Sequence, residues 1–193
     1  MQGFNFTQGL VMSNYKRVEA CDHIESINVI IEIPADDAPV KYEFDKDNGI
    51  LSVDRFVATQ MRYPVNYGFI PQTLSDDGDP ADVLVITPYP LKAGSLIKVR
   101  AIGMLSMTDE SGVDAKILAL PISKLTKIYD HINDIDDVDQ NKLAQIEFFF
   151  QNYKALEPGK WVELDGWKKK NEAIKEIENS IKTYEQKLED NNV

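Results

Sequence analysis

The sequence has a single cysteine, Cys21, so no disulfide can form within the chain. One thiol suits a reducing compartment, and we therefore expect a cytoplasmic protein. No segment approaches the ~20 consecutive apolar residues that a membrane-spanning helix needs. The first residues also lack the basic region and apolar block of a secretory signal, so we do not expect secretion.

Basic residues are scarce: 21 Lys and Arg stand against 32 Asp and Glu, which gives a formal net charge of -11. Such a balance disfavours a nucleic-acid-binding protein, which normally carries a basic surface. The two histidines, His23 and His131, have no partner pattern, which argues against a zinc site. The sequence also lacks a glycine-rich phosphate loop, a dinucleotide fingerprint, an EF-hand, a nucleophile elbow and a Cys–His arrangement.

The 193 residues and the hydrophobic content of 43% fit one globular domain with short appendages. Residues 1–26 show no clear periodicity and are predicted to be an N-terminal arm. Residues 27–193 are predicted to form a single domain, because the sequence contains no internal repeat and no low-complexity tract.

The pattern up to Pro121 predicts strands, several of them alternating between apolar and polar residues. The continuous β-branched segment 83–87 predicts a buried central strand. The other predicted strands are 28–34, 40–45, 50–56, 95–107 and 116–122, with short pieces in 61–71. Short strands joined by turns predict a closed or nearly closed antiparallel barrel.

The pattern after Pro121 predicts helices instead. One apolar stripe extends from Leu143 to Tyr153, with Pro158-Gly159 as its stop, and a second extends from Ile174 to Leu188. The fold class is therefore α+β, mainly β, with the helices at the C-terminal end.

Asp76, Asp77, Asp79 and Asp82 form the most informative cluster, four carboxylates within seven residues. Gly78 and Pro80 keep this segment out of a helix, so the acids project from one loop. Lys and Arg are absent from residues 73–91, and Mg²⁺ or Ca²⁺ would neutralise such a cluster through oxygen ligands. A solvated acidic loop is the commoner explanation for an isolated cluster.

Asp109, Glu110 and Asp114 form a second cluster, which by itself resembles a polar hairpin. Both clusters follow predicted strands, and in a small barrel such loops can converge at one mouth. Facing carboxylates would hold more than one cation, and metal pairs about 3.5–4 Å apart are a recurring device for displacement at phosphorus.

Cations and phenols occur in the same part of the chain. Lys41, Arg55 and Lys116 are each most simply surface residues, but together they offer the charges that an oligophosphate requires. Tyr63 and Tyr67 are explained first by core packing, although a phenol can donate to phosphate. Tyr153 either continues the helical stripe or presents its hydroxyl to a cleft.

These segments together resemble the family I soluble inorganic pyrophosphatases of the bacterial type, over residues 28–167. The matching segments are IEIP (31–34), KYE (41–43), DR (54–55), YPVNYGFIP (63–71), DGDPADVLV (77–85), MTDESGVDAK (107–116) and YK (153–154).

The resemblance implies a five-stranded, OB-like closed barrel flanked by C-terminal helices. It also implies Mg²⁺-dependent hydrolysis of pyrophosphate to two orthophosphates through a metal-activated water. Several Mg²⁺ ions per active site are expected, with Mn²⁺ or Zn²⁺ tolerated, and a homo-oligomer, a hexamer by resemblance. The expected partners are the substrate and copies of the chain, without nucleic acid or membrane.

The resemblance also implies residue roles. Asp77, Asp82 and Asp114 would hold the first metal, with Asp82 bridging to a second. Asp109 and Asp114 would hold a metal that arrives with substrate, and Glu32 would assist through water. Asp79 would be the base for the attacking water. The implied phosphate ligands are Lys41, Arg55, Tyr67, Lys116, Tyr153 and Lys154. The implied supporting residues are Glu43, Asp54, Tyr63 and Glu110.

Two rival functions remain. A non-catalytic OB-fold module could keep the acidic loops for metal-stabilised structure, but it would need neither the cations nor Tyr153 nearby. A Mg²⁺-dependent phosphohydrolase acting on nucleotides would be expected to carry a nucleotide fingerprint, which the sequence does not show.

Overall fold

The structure is a computed structural model that describes residues 15–45 and 48–190. Within this part of the chain, nine strands and two α-helices form, together with two short 3-10 turns. The strands are β1 (Cys21–His23), β2 (Ser26–Ile33), β3 (Val40–Asp45), β4 (Ile50–Phe56), β5 (Asn66–Phe69), β6 (Asp82–Val85), β7 (Leu96–Asp109), β8 (Gly112–Pro121) and β9 (Val162–Lys169). The helices are α1 (Gln140–Asn152) and α2 (Lys170–Asp190).

Five of the strands close into a ring. The main sheet has the order β1-β2-β5-β6-β8-β7-β9, and an additional pairing of β2 with β7 joins β2, β5, β6, β8 and β7 end to end. Close approach of β5 to β2 requires Gly68, because an added Cβ would lie 2.0 Å from the carbonyl oxygen of Ile30. The expectation of a mainly β fold around a five-stranded ring is confirmed.

The expectation of an antiparallel barrel is wrong for one pair of strands. β6 and β8 run parallel, with Asp82 opposite Lys116 and Val85 opposite Ala119. The chain can make this pairing because β7, 14 residues long, runs antiparallel to β2 and to β8, so that β8 returns beside β6. In a simple up-and-down arrangement of antiparallel strands, β7 would lie between β6 and β8, and these two strands would not pair.

Alternate residues of the ring strands supply two buried clusters. One contains Leu84, Leu105 and Leu118 and extends to α1, and the other contains Val83 and Ile117 and extends to α2. This is the pattern expected of strands covered on both faces. The predicted buried strand at 83–87 corresponds to β6, whose three last residues are fully buried.

The helix α1 begins at a cap and ends before the predicted stop. Asp139 accepts hydrogen bonds from the backbone N–H groups of Asn141 and Lys142, which satisfies donors at the helix start. Leu143, Ile146 and Phe150 are buried on its apolar face. α1 ends at Asn152, and Tyr153 and Lys154 follow it directly, ahead of Pro158-Gly159.

The sequence pattern missed two strands. β9 occupies residues 162–169, between the two predicted helical stripes, where no strand is predicted, and it pairs with β7 at the edge of the sheet. β1 lies within the predicted N-terminal arm and pairs with β2. Residues 1–14 of the arm lie outside the described residues. No helix in the described ranges is long and apolar enough to cross a membrane.

Candidate active site

The parallel pairing of β6 with β8 brings the two acid clusters together. Asp82 opens β6 and is the register partner of Lys116. Asp114 precedes Lys116 by two residues, so both lie on the same side of β8. Asp77 and Asp79 belong to the loop that enters β6, and Asp109 ends β7 at the turn into β8.

One cavity of about 470 Å³ lies between these segments. The site residues predicted from the sequence that line it are Glu32, Lys41, Glu43, Arg55, Tyr63, Tyr67, Asp77, Asp79, Asp82, Asp109, Glu110, Asp114, Lys116, Tyr153 and Lys154. Asp54 is not part of the lining. Its Oδ2 atom lies 3.3 Å from Lys41 Nζ and 2.8 Å from Arg55 Nη1, so it contacts two residues that are.

Lys116 is the central cation of the cavity. Its ammonium group, on a residue that is only 5% exposed, pairs with Asp82 and lies 2.7 Å from Asp114 Oδ2. Burial opposes the charge, but the two carboxylates outweigh it and raise the pKa of Lys116. Lys116 therefore links the first acid cluster to the second.

A second lysine holds the turn between β7 and β8. Lys154 Nζ lies 2.7 Å from Asp109 Oδ2 and 3.3 Å from Glu110 Oε1. Lys160 pairs with Glu110 as well. Burial works against the Glu110 carboxylate, yet the Lys160 and Lys154 ammonium groups lower its pKa to about 2. Glu110 is thus fixed as an anion between two cations.

The β3–β4 hairpin supplies the remaining cations. Lys41 pairs with Glu43 and Asp54, while the Arg55 guanidinium donates to Asp54. Arg55 Nε lies 3.4 Å from Glu157 Oε1, and both atoms are buried without a hydrogen-bond partner. Each cation is therefore accompanied by carboxylates that orient it beside the cavity.

Glu32 is the most deeply buried of the candidate metal ligands. It lies on β2 with 7% of its surface exposed, and its Oε1 accepts a hydrogen bond of 2.7 Å from the backbone N–H of Phe44. Desolvation raises the pKa of Glu32 to about 8, and the charges of Asp82 and Glu43 add to this rise. The backbone hydrogen bond from Phe44 acts in the opposite direction.

The tyrosines form an aromatic wall beside the cations. Tyr63 lies 5.2 Å from Tyr67 and 4.5 Å from Phe149 between ring centroids, and Tyr153 stacks on Phe149 at 5.2 Å. Burial raises the pKa values of Tyr63, Tyr67 and Tyr153, so these phenols stay protonated as hydrogen-bond donors. The same three tyrosines therefore pack in the core and line the cavity.

Two charged residues beyond the predicted set contact this site. Lys160 lines the cavity, and Glu157 faces Arg55. Both belong to the turn after α1, where Pro158-Gly159 was interpreted only as a helix stop. Their signal in the sequence was an acid and a base close behind Tyr153-Lys154, on the same turn.

The chemistry of the carboxylates fits a hard divalent cation. Burial raises the pKa values of Asp77 and Asp114, and the Asp82 charge contributes to both rises. Such crowding of anions is relieved by a cation with oxygen ligands. Within the described ranges, no group of three His, Cys, Asp or Glu side chains forms a ready-made metal site, and Lys116 stands between Asp82 and Asp114.

Comparison with known proteins gives the class of the fold and site. The family model described as "Inorganic pyrophosphatase" matches residues 29–185. An inorganic pyrophosphatase of Ralstonia nicotianae is 60% identical over 157 residues, 81% of this chain and 90% of that protein. The Escherichia coli K12 inorganic pyrophosphatase is 58% identical over 153 residues, 79% of this chain and 87% of that protein.

Solved structures agree with the sequence relatives. An inorganic pyrophosphatase from Coxiella burnetii superposes with a TM-score of 0.85 at 51% identity, covering 86% of this chain and 99% of that one. The Thermus thermophilus enzyme gives a TM-score of 0.85 at 40% identity, covering 90% and 99%. The chain belongs to the inorganic pyrophosphatase family, and the resemblance inferred from its motifs is confirmed.

Proposed function

We propose that this protein hydrolyses inorganic pyrophosphate to two orthophosphates in a Mg²⁺-dependent reaction. The observation that carries the proposal is that acids of both clusters line the same cavity as five cations, Lys41, Arg55, Lys116, Lys154 and Lys160. Membership of the inorganic pyrophosphatase family supports the hydrolase class of the reaction.

The metal-holding residues in this proposal are Asp77, Asp82, Asp109 and Asp114, with Glu32 assisting through water. Their carboxylate oxygens are the donor type that Mg²⁺ prefers, and several ions per site would relieve their mutual repulsion. Bound Mg²⁺ would neutralise charge and would lower the pKa of coordinated water below that of bulk water. Mn²⁺ or Zn²⁺ are proposed as tolerated substitutes.

Asp79 is proposed as the base that accepts a proton from the attacking water. It belongs to the same loop as Asp77 and lines the cavity, and its backbone N–H donates to Asp77 Oδ1 at 3.0 Å. That bond constrains the backbone of the loop at Asp79, beside the neighbouring acids. A base held within reach of the reacting water is the requirement for general base catalysis.

The cations are proposed to bind the two phosphoryl groups. Arg55 offers a planar fork that matches two phosphate oxygens, while Lys41, Lys116 and Lys154 act as point charges. Tyr67 and Tyr153 would donate from their protonated phenols. Glu43, Asp54, Tyr63 and Glu110 support these groups through the ion pairs and ring contacts described above. Stabilising charge on the transferring and leaving groups is the larger part of such catalysis.

A phosphate-release assay with pyrophosphate and with ATP, each with and without Mg²⁺, tests the proposal. We expect rapid release from pyrophosphate only when Mg²⁺ is present, with little release from ATP. Activity on ATP alone would favour the rival phosphohydrolase that acts on nucleotides. Absence of release from both substrates would favour the non-catalytic module.

The finer expectations of assembly and location are also proposals. We propose a cytoplasmic homo-oligomer: the single cysteine supports the reducing compartment, and the exposed apolar residues Leu125, Ile128 and Phe148 support contact between copies. That the oligomer is a hexamer is proposed from the family resemblance alone. An interface between copies would cover such side chains.

A further inference from the structure

The segment before the family match is attached to the wall of the active-site cavity. The match begins at residue 29, whereas the described chain begins at Tyr15. Asn28 fixes the intervening residues, since its Nδ2 donates to the Glu19 carbonyl at 2.9 Å and its backbone N–H donates to the Ala20 carbonyl at 2.8 Å. An ion pair from Lys98 to Asp22 adds a further attachment.

Tyr15 at the start of this segment packs against two aromatic residues that line the cavity. Its ring centroid lies 5.0 Å from that of Phe44, at an interplanar angle of 63°, and 6.2 Å from that of Phe69, at 86°. Phe44 and Phe69 are themselves 6.2 Å apart. Edge-to-face contacts of this kind stabilise beyond simple burial. Ile30 and Leu51 complete the cluster.

The β3–β4 hairpin depends on such side-chain packing for its position. It forms a separate two-stranded sheet, so backbone ladder bonds join β3 to β4 but neither strand to the ring. A two-stranded hairpin is only marginally stable without packing against another element. The Phe44 side chain, 8% exposed, contacts both Tyr15 and Phe69, and these contacts anchor the hairpin to the barrel.

This hairpin carries groups that the proposed function requires. Lys41 and Arg55 line the cavity from β3 and β4, and the backbone N–H of Phe44 donates to the buried Glu32 carboxylate at 2.7 Å. A shift of Phe44 would therefore move two phosphate-binding cations relative to the acids on β6 and β8. It would also weaken the hydrogen bond that fixes Glu32.

We propose that Tyr15 is a positioning residue of the active site, which acts by holding Phe44 and with it the β3–β4 hairpin against the barrel. The inference rests on the proposed function. It extends the site to a residue outside the family match that touches neither metal nor substrate.

The variant Tyr15→Ala removes the ring, and Tyr15→Phe keeps it. For Tyr15→Ala we expect KM for pyrophosphate to rise about tenfold, the size that loss of one or two aromatic contacts implies, with a much smaller change in kcat. KM is expected to change more than kcat because the hairpin carries proposed phosphate ligands, whereas the proposed base lies on the β5–β6 loop. Tyr15→Phe should behave as wild type, as should the control Tyr184→Ala on α2.

Hydrogen–deuterium exchange in metal-free protein provides a readout that does not depend on activity. We expect faster exchange of the Phe44 amide in Tyr15→Ala, with α2 amides unchanged. Unchanged exchange at Phe44, or acceleration that extends equally to α2, would overturn the inference, because the second result means general destabilisation. A wild-type protein without pyrophosphatase activity would refute the proposed function, while the exchange measurement would still decide the role of Tyr15.

Discussion

Replacing Asp79 by asparagine is expected to lower kcat for pyrophosphate hydrolysis by about 10²–10⁴-fold, the range that a general base contributes. The amide keeps the size of the side chain but cannot accept the proton from water. Equilibrium Mg²⁺ binding should persist, because Asp77, Asp82, Asp109 and Asp114 remain. Steady-state kinetics and isothermal titration with Mg²⁺ measure the two quantities separately.

Asp76→Asn is the matched control for this variant. Asp76 lies on the same loop and is exposed, but it is not part of the cavity lining, so the substitution removes one charge without removing the proposed base. We expect Asp76→Asn to retain near wild-type kcat. Turnover close to normal in Asp79→Asn would remove Asp79 from the mechanism, and a joint loss of metal binding and turnover would make it a metal ligand instead.

Replacing Lys116 by methionine is expected to have the second large effect, on the stability of the metal-free protein. Lys116 is buried between Asp82 and Asp114, and removing one member of such a buried cluster costs about 3–5 kcal/mol because the remaining charges are left uncompensated. Metal-free Lys116→Met should therefore unfold at much lower denaturant concentration than wild type. Pyrophosphate hydrolysis should fall as well, since a phosphate ligand is lost.

The response of Tm to Mg²⁺ distinguishes the loss of a counter-ion from a simple packing defect. A cation that binds the folded protein through Asp82 and Asp114 stabilises it by mass action, and in Lys116→Met it no longer competes with an ammonium group. We expect a larger Mg²⁺-induced rise in Tm for the variant than for wild type. Lys169→Met is the control, because Lys169 pairs with Asp136 at an exposed site where an ion pair contributes little to stability. Equal responses to Mg²⁺ in all three proteins would contradict the proposed counter-ion role.

Local sequence pattern predicted those elements whose side chains alternate or recur within one segment. Val40, Tyr42 and Phe44 identified β3, and Leu143 and Ile146 identified α1, because each pattern reports burial of one face. β9 was missed because its residues are half-buried or exposed and carry charges, and its position depends on pairing with β7 at the sheet edge. The residues of β9 alone do not indicate this pairing.

The residues of the site could be predicted from the sequence, but most contacts between them could not. Acid clusters around Asp77 and Asp109 were visible as local excesses of charge, and motif order supplied the remaining candidates. The parallel register of Asp82 with Lys116 could not be predicted, because it depends on residues more than thirty positions apart. The contact of Glu157 with Arg55 joins the turn after α1 to β4, and no local pattern indicates it.

A crystal soaked in Mn²⁺, with diffraction recorded to locate anomalous scattering, tests the central claim most directly. The claim is that carboxylates from the β5–β6 loop and from the β7–β8 hairpin bind metal ions at one shared site. We expect anomalous peaks in the cavity with ligands from both groups, Asp77 and Asp82 on one side and Asp109 and Asp114 on the other. Peaks confined to surface carboxylates, or bound by one acid cluster alone, would contradict the account.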